Sequence, residues 1–167
     1  MRAGEYRSEV GAVDLRGALS AAVAATRTIG PGVRTIVPER REAQTRVFVE
    51  NTDCLKVALG MVDRGLDVAV LNFASAKNPG GGFLSGARAQ EESICRASGL
   101  YVCLEPSPMY EHHRRRHDPL YSTWVVHSPN VPVFRDGADL LAEPWLVSFL
   151  SSPAPNAKVV LGRSPER

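Results

Sequence analysis

Two adjacent carboxylates, Glu91 and Glu92, follow Gln90, and seven residues separate Gln90 from the glycine run Gly80-Gly81-Gly82. Three glycines in a row set three backbone N–H groups beside space that no side chain obstructs, so a bulky or anionic ligand can approach the main chain. Phosphate or sugar is the guest that such a loop suits. Two carboxyl groups at a helix opening supply a general acid and an orienting partner, provided burial or mutual repulsion keeps one of them protonated near neutral pH. Glycoside hydrolysis needs that acid, because its oxocarbenium-like transition state forms as the leaving oxygen is protonated. Neighbouring side chains on a helix point about 100° apart. The sequence therefore predicts that Glu91 and Glu92 do not form the usual facing pair, and that one transfers the proton while the other orients substrate. Taken singly, a glycine run reads as a flexible loop and Gln-Glu-Glu as solvated acid favoured by a helix dipole; their order and spacing argue for a site.

The elements that must position these residues follow from periodicity. Val68-Ala69-Val70-Leu71-Asn72-Phe73 is a continuous apolar run of strand length, which predicts a central strand buried on both faces. In an open α/β sheet the crevice beyond the carboxyl end of such a strand is where ligands bind, and there the glycines lie. Ile94, Ala97, Leu100 or Tyr101, and Leu104 predict one helix from Gln90 to Leu104 despite Gly99 inside it. Upstream, Leu15, Leu19, Ala22 and Val23 predict a helix within 13–26, and Thr35-Ile36-Val37 and Arg46-Val47-Phe48-Val49 read as strands. Thr52 stands as the N-cap of a helix that buries Leu55, Ala58, Leu59 and Val62 and closes at Gly65. Downstream, Tyr110 to Pro119 reads as a polar loop, and Thr123–His127 and Trp145–Leu150 as strands. Val131–Phe134 reads as an edge strand or extended segment, because Pro132 cannot donate to a ladder.

At 167 residues the chain has room for one domain, 1–167, and 44% apolar with 23% charged residues describes an ordinary globular composition. No stretch approaches the roughly 18 apolar residues of a spanning helix, so a membrane role is excluded. The formal charge of +2 is too small for electrostatic capture of nucleic acid. The basic run His112-His113-Arg114-Arg115-Arg116-His117 reads as a solvated loop face that gives steering at most; it lacks a stacking platform, and no direct nucleic-acid binding is expected. Cys54, Cys95 and Cys103 contain no C-x-x-C pair and are expected to be reduced thiols, and Cys95 and Cys103 with the histidines fit no closed zinc spacing. No secretory signal opens the sequence, so a cytoplasmic address is expected. Trp124 and Trp145 lie in apolar runs and read as core, while Phe83, next to the glycines, suits either stacking on a ligand or packing under the loop.

The segments 72–84 and Gln90-Glu91-Glu92-Ser93-Ile94-Cys95-Arg96 together resemble the microbial-type poly(ADP-ribose) glycohydrolases, whose signature is a triple glycine followed by Gln-Glu-Glu. Thr123 to Asp136 resembles the family's next strand and following segment, and Ser152 to Asn156 the loop after the strand beyond. The resemblance implies a macrodomain-like three-layer α/β/α fold with a mixed central sheet, and hydrolysis of the ribose–ribose O-glycosidic bond of poly(ADP-ribose) with release of ADP-ribose. It implies that Glu92 is the catalytic acid and Glu91 its neighbour on the ribose hydroxyls. It places Gly80, Gly81 and Gly82 around the ribose and diphosphate. Gln90 fixes that loop against the substrate, and Asn72 or Asn78 binds a ribose hydroxyl. The partners implied are poly(ADP-ribose) or ADP-ribose and ADP-ribosylated proteins; no metal or organic cofactor is expected. The family continues with further helix and strand and a second glycine-rich, diphosphate-gripping loop. This sequence lacks them, and its tail from Leu161 to Arg167 resembles no helix opening. A chain with those C-terminal strands and helices missing is expected to leave apolar sheet faces uncovered and to rely on a partner. The alternative is a non-catalytic ADP-ribose-binding module or inactive remnant; a further rival is nucleic-acid binding through the basic run.

Overall fold

The computed structural model describes residues 4–33, 44–116, 118–155 and 157–163. A two-stranded hairpin, β1 (Glu5–Ser8) and β2 (Gly11–Asp14), leads into α1 (Arg16–Ala25) and the short strand β3 (Arg27–Ile29). Helix α2 (Cys54–Val62) precedes β4 (Ala69–Ala74), and a 3-10 turn at Phe83–Ser85 leads to α3 (Gln90–Ala97), α4 (Leu100–Leu104) and α5 (Pro108–Arg115). Two long strands, β5 (Val125–Asp136) and β6 (Asp139–Pro153), and α6 (Ala157–Arg163) follow. The main sheet runs β3-β5-β6-β4; β4 is parallel to β6, and the other pairs are antiparallel. This is a mixed α/β fold with a mixed sheet.

One face of the sheet forms the core. Val70, Val126, Val131, Val147 and Phe149 meet Ala22 of α1, Ile94 of α3, Leu100 and Leu104 of α4, and Met109 and Tyr110 of α5, all buried. At roughly 25 cal/mol per Å² this contact supplies the main cohesion. The opposite side of β4 differs from the sequence expectation of burial on both faces. Residues alternate strictly along the strand, and Leu71 and Phe73 are 48% and 60% exposed while Val70, Asn72 and Ala74 are buried. Leu150, cross-strand from Leu71, is 36% exposed on the same side. An apolar run thus belongs here to a strand with only one face packed.

Several boundaries move for identifiable reasons. The expected helix over Gln90–Leu104 breaks after Ala97. Ser98 forms a bridge with Val133, the Gly99 N–H donates to the Pro132 carbonyl at 2.9 Å, and the chain restarts as α4. Gly99 thus marks a tertiary hydrogen bond that periodicity does not register. The expected loop from Tyr110 begins instead inside a helix: the Ser107 hydroxyl accepts from the Met109 N–H and Pro108 occupies the first turn, a favoured N-terminal pairing. Val131–Phe134 is not a separate segment, but β3 pairs only as far as His127 and leaves this stretch β6 as its one strand partner among the described residues. The stretch continues β5 past a bulge after Ser128 and pairs with β6 through Val131, Pro132 and Val133. Asp53, not Thr52, caps α2, its Oδ1 accepting from the Leu55 N–H at 2.8 Å.

Arg46–Val49 is not a strand. Val47, Phe48 and Val49 are 82%, 73% and 94% exposed, and β-branched residues form strands only where a ladder and a packing face await them. Thr35–Val37 lies outside the described residues. The first helix starts at Arg16 because Val13 is taken by β2, and Leu161 to Arg163 end α6 where no helix was expected. No helix among the described residues is long and apolar enough to cross a membrane.

A Cβ at Gly60, on the exposed side of α2, would meet no atom within 4 Å. Gly60→Ala is therefore expected to stabilise the fold by about 0.5–1 kcal/mol through reduced unfolded-state entropy, read as a higher urea midpoint at unchanged slope.

Candidate active site

The loop leaving β4 and the first turn of α3 build the site. Gln90, at the first helical position, uses its side-chain amide as a strand would: Oε1 accepts from the Phe73 N–H at 2.9 Å, and Nε2 donates to the Leu71 carbonyl at 2.7 Å. These two bonds occupy the free edge of β4 and fasten the start of α3 to the end of the strand. Glu91 and Glu92 are carried with it, and both are buried, 4% and 8% exposed.

Each carboxylate has its own set of donors. Glu91 Oε2 accepts from the Ser75 N–H at 2.7 Å, and Oε1 receives a long contact of 3.5 Å from Asn72 Nδ2. Glu92 Oε1 accepts from the Gly82 N–H at 2.9 Å. Its Oε2 reaches back to the Ala89 N–H at 3.0 Å, the acidic half of a capping box. The three glycine N–H groups are not an open cradle, as the residue types alone suggest. Gly82 N–H is given to Glu92, Gly81 N–H to the Asn78 carbonyl at 2.9 Å, and Gly80 N–H supports Glu91.

Gly80 and Gly81 both have left-handed backbones, φ +68° and +60°. A Cβ on Gly81 would stand 2.3 Å from Glu92 Oε1 and 3.1 Å from Glu91 Oε2. One oxygen of each carboxylate therefore lies within 3.1 Å of one point beside Gly81, although the two residues are neighbours on the helix.

The environments push the two acids apart. Burial raises the Glu91 carboxyl, against hydrogen bonds from Ser75, Asn72 and Gly80, and with the Glu92 charge adding to the rise, to about 7. Burial also acts upward on Glu92, but the backbone N–H groups around it, with Arg96, outweigh that and hold it below the usual range. A pair of titratable groups separated in this way is the pattern of an acid–base site.

Between the unfolded value near 4.5 and the folded value near 7, the folded protein keeps a proton on Glu91 that the unfolded chain has lost. The contribution is present in acid and disappears as pH rises through about 7. Glu91→Gln, which cannot ionise, should gain thermal stability relative to the parent between pH 5 and pH 8; an equal gap at both pH values contradicts the assignment.

Of the other expected site residues, Asn78 is exposed at the loop's outer turn, its N–H on the Ser75 hydroxyl at 3.2 Å. Asn72 is wholly buried, its amide directed at Glu91 and at Ser151 Oγ. Phe83 packs under the loop, its ring 4.9 Å from that of Tyr101 and in contact with the Cβ position of Gly80. Trp124 and Trp145 are half-buried and pack on the core.

Three contributors were not singled out by residue type. Ser75 supports Glu91 with its N–H and the loop with its hydroxyl, a turn signal readable in hindsight from its place two residues before Lys77 and three before Asn78. Ser151 comes from β6, and nothing local announces it. Arg114 donates to the Lys77 carbonyl at 2.7 Å, so the basic run lies partly on a helix that braces the loop. His113 is buried, its Nε2 2.8 Å from Ser122 Oγ, rather than solvated.

The family described as microbial-type PARG, catalytic domain, matches residues 1–136. The chain is similar to the crystal structure of poly(ADP-ribose) glycohydrolase from Thermomonospora curvata, at 44% identity and a TM-score of 0.85 over 94% of this chain and 61% of that one. It is also similar to the same protein bound to the inhibitor ADP-HPD, at 43% identity and TM-score 0.83 over 94% and 59%. The enzyme from Deinococcus radiodurans in complex with ADP-ribose gives 40% identity and TM-score 0.78 over 92% and 64%. The chain thus spans about three fifths of the length of these structures. Among curated proteins no significant match is found. The family match over most of the sequence, on a fold whose glycine loop encloses the Gln-Glu-Glu turn, makes this chain a member of the microbial-type poly(ADP-ribose) glycohydrolase catalytic-domain family.

Proposed function

We propose that the chain binds ADP-ribose units of poly(ADP-ribose) and hydrolyses the ribose–ribose O-glycosidic bond, with Glu92 as the proton donor. The observation that carries this reading is the pair of buried carboxylates that each bring one oxygen within 3.1 Å of a Cβ position on Gly81, with Glu92 holding the Gly82 N–H of the glycine loop. Polymer entering along Gly80–Gly82 brings diphosphate charge beside Glu92 and competes for the Gly82 N–H. Both effects favour the protonated form of Glu92, so the substrate itself loads the acid. The glycosidic C–O bond then breaks with its electrons on the leaving oxygen, which takes the Glu92 proton. Water adds to the anomeric carbon and returns a proton to the Glu92 carboxylate. Glu91, neutral up to about 7, orients the ribose hydroxyls. Asn78, exposed at the loop's outer turn, faces the remaining polar atoms. Three free thiols suit a reducing cytoplasm, with ADP-ribosylated proteins as the carriers of the substrate.

Calorimetric titration with ADP-ribose, together with release of ADP-ribose from polymer by the same sample, tests the proposal. Binding with release is the expected result. Binding without release favours a reader that keeps the loop and does not turn over, and no binding by folded protein rejects both.

A further inference from the structure

We propose that Asn72 and Ser151 form a buried positioning couple beneath Glu91, in which Ser151 Oγ holds the Asn72 amide with its nitrogen towards the carboxyl and so supports the ionised form. The proposal rests on the reading of Glu91 as part of a glycohydrolase site, and it deepens that reading by assigning residues that act through Glu91 without touching substrate.

The geometry is set by the sheet. Asn72 and Ser151 are register partners on the parallel strands β4 and β6, both on the packed face and both 0% exposed. Asn72 Nδ2 is 3.0 Å from Ser151 Oγ and 3.5 Å from Glu91 Oε1, whereas Asn72 Oδ1 is buried without a hydrogen-bond partner. A buried acceptor left without a donor is uncommon and calls for a physical reason. An amide has two donors at one end and an acceptor at the other, and a hydroxyl can play either part. With Nδ2 towards Glu91, the amide supports the carboxylate and its second hydrogen goes to Ser151 Oγ. This orientation leaves Oδ1 without a donor and gains an amide nitrogen fixed towards the carboxylate by Ser151. Loss of either partner then weakens support for the ionised form of Glu91. The other titratable groups bearing on Glu91 are Glu92 and Cys95 of its own helix and Tyr110 of α5. None of them belongs to the sheet, so the strand-borne couple is a separable influence.

The test is a carboxyl NMR titration of protein labelled with ¹³C at the glutamate side-chain carboxyl, with Glu91 assigned by signal loss in Glu91→Gln. In Asn72→Leu the anion loses its amide donor, and the Glu91 midpoint should rise by about one pH unit or more. In Ser151→Ala, a smaller change that leaves the fold intact if Asn72→Leu does not, the second amide hydrogen has no acceptor whenever the first supports the anion. The midpoint should again rise, by less. An unmoved midpoint in folded Ser151→Ala overturns the couple. The titration needs no turnover: if the parent protein fails to release ADP-ribose while the midpoints shift as expected, the couple stands and the glycohydrolase reading falls.

Discussion

Glu92→Gln is expected to slow release of ADP-ribose from polymer by about 10² or more, the usual contribution of a positioned proton donor, while affinity for ADP-ribose stays nearly unchanged. The substitution keeps the side chain's length and volume, and its amide oxygen still accepts from the Gly82 N–H that Glu92 Oε1 now occupies at 2.9 Å. What it cannot do is carry a transferable proton or accept at both ends. The Ala89 N–H, 3.0 Å from Oε2, then faces an amide nitrogen, and the loss of that helix-start bond should cost about 1 kcal/mol of stability. A folded variant with a slightly lower melting temperature, ADP-ribose affinity like the parent's and almost no turnover is the expected combination. Glu91→Gln is the informative partner. Glu91 orients ribose in the proposed scheme, so its loss should fall mainly on KM. A collapse of kcat in Glu91→Gln with activity retained in Glu92→Gln would exchange the two roles.

How far this site could be read from the sequence depends on how local each interaction is. The glycine run, Gln90 and the two glutamates lie within a short stretch, and their order after an apolar strand suffices to place them in a crevice at the strand's carboxyl end. Composition does not say which way the glycine N–H groups turn. That depends on Glu92 reaching back across the loop, a contact between the third helical position and a residue ten earlier. Ser151 is further from recovery still: seventy-nine residues from Asn72, it enters only through the β4–β6 register.

The elements show the same division. Periodicity finds α1 and α2 because a helix needs only its own apolar stripe. It joins α3 to α4 because Gly99 is spent on a hydrogen bond to Pro132 that periodicity does not record. It makes a strand of Arg46–Val49 because strand propensity describes a side chain's fit to a sheet and is silent on whether a sheet edge is free. Here the free edge of β4 is met by the Gln90 amide. The resemblance to the family reaches further than periodicity in what it implies, a catalytic role for Glu91 and Glu92. The burial of Asn72 beneath Glu91 nevertheless turns one implied ligand residue towards the protein's own chemistry.

Gly81→Val is expected to abolish turnover and to weaken ADP-ribose binding by more than about tenfold, the more severe of the two lesions because it acts on both carboxylates at once. Two separate penalties meet at this residue. Its φ of +60° is a left-handed conformation that costs a side-chain-bearing residue about 1–2 kcal/mol, more for a β-branched one. The first side-chain carbon would also stand 2.3 Å from Glu92 Oε1 and 3.1 Å from Glu91 Oε2, so the carboxylates must separate and release their backbone donors. Gly86→Ala divides the two contributions. Gly86 also has a left-handed backbone, φ +87°, but a Cβ there meets nothing within 4 Å. That variant should lose some stability and keep both binding and turnover. If Gly86→Ala and Gly81→Val impair binding equally, the loop acts only through its backbone conformation, and the space between the two glutamates is not where the substrate lies. If only Gly81→Val fails, the absent side chain at Gly81 is the room into which the reacting ribose fits.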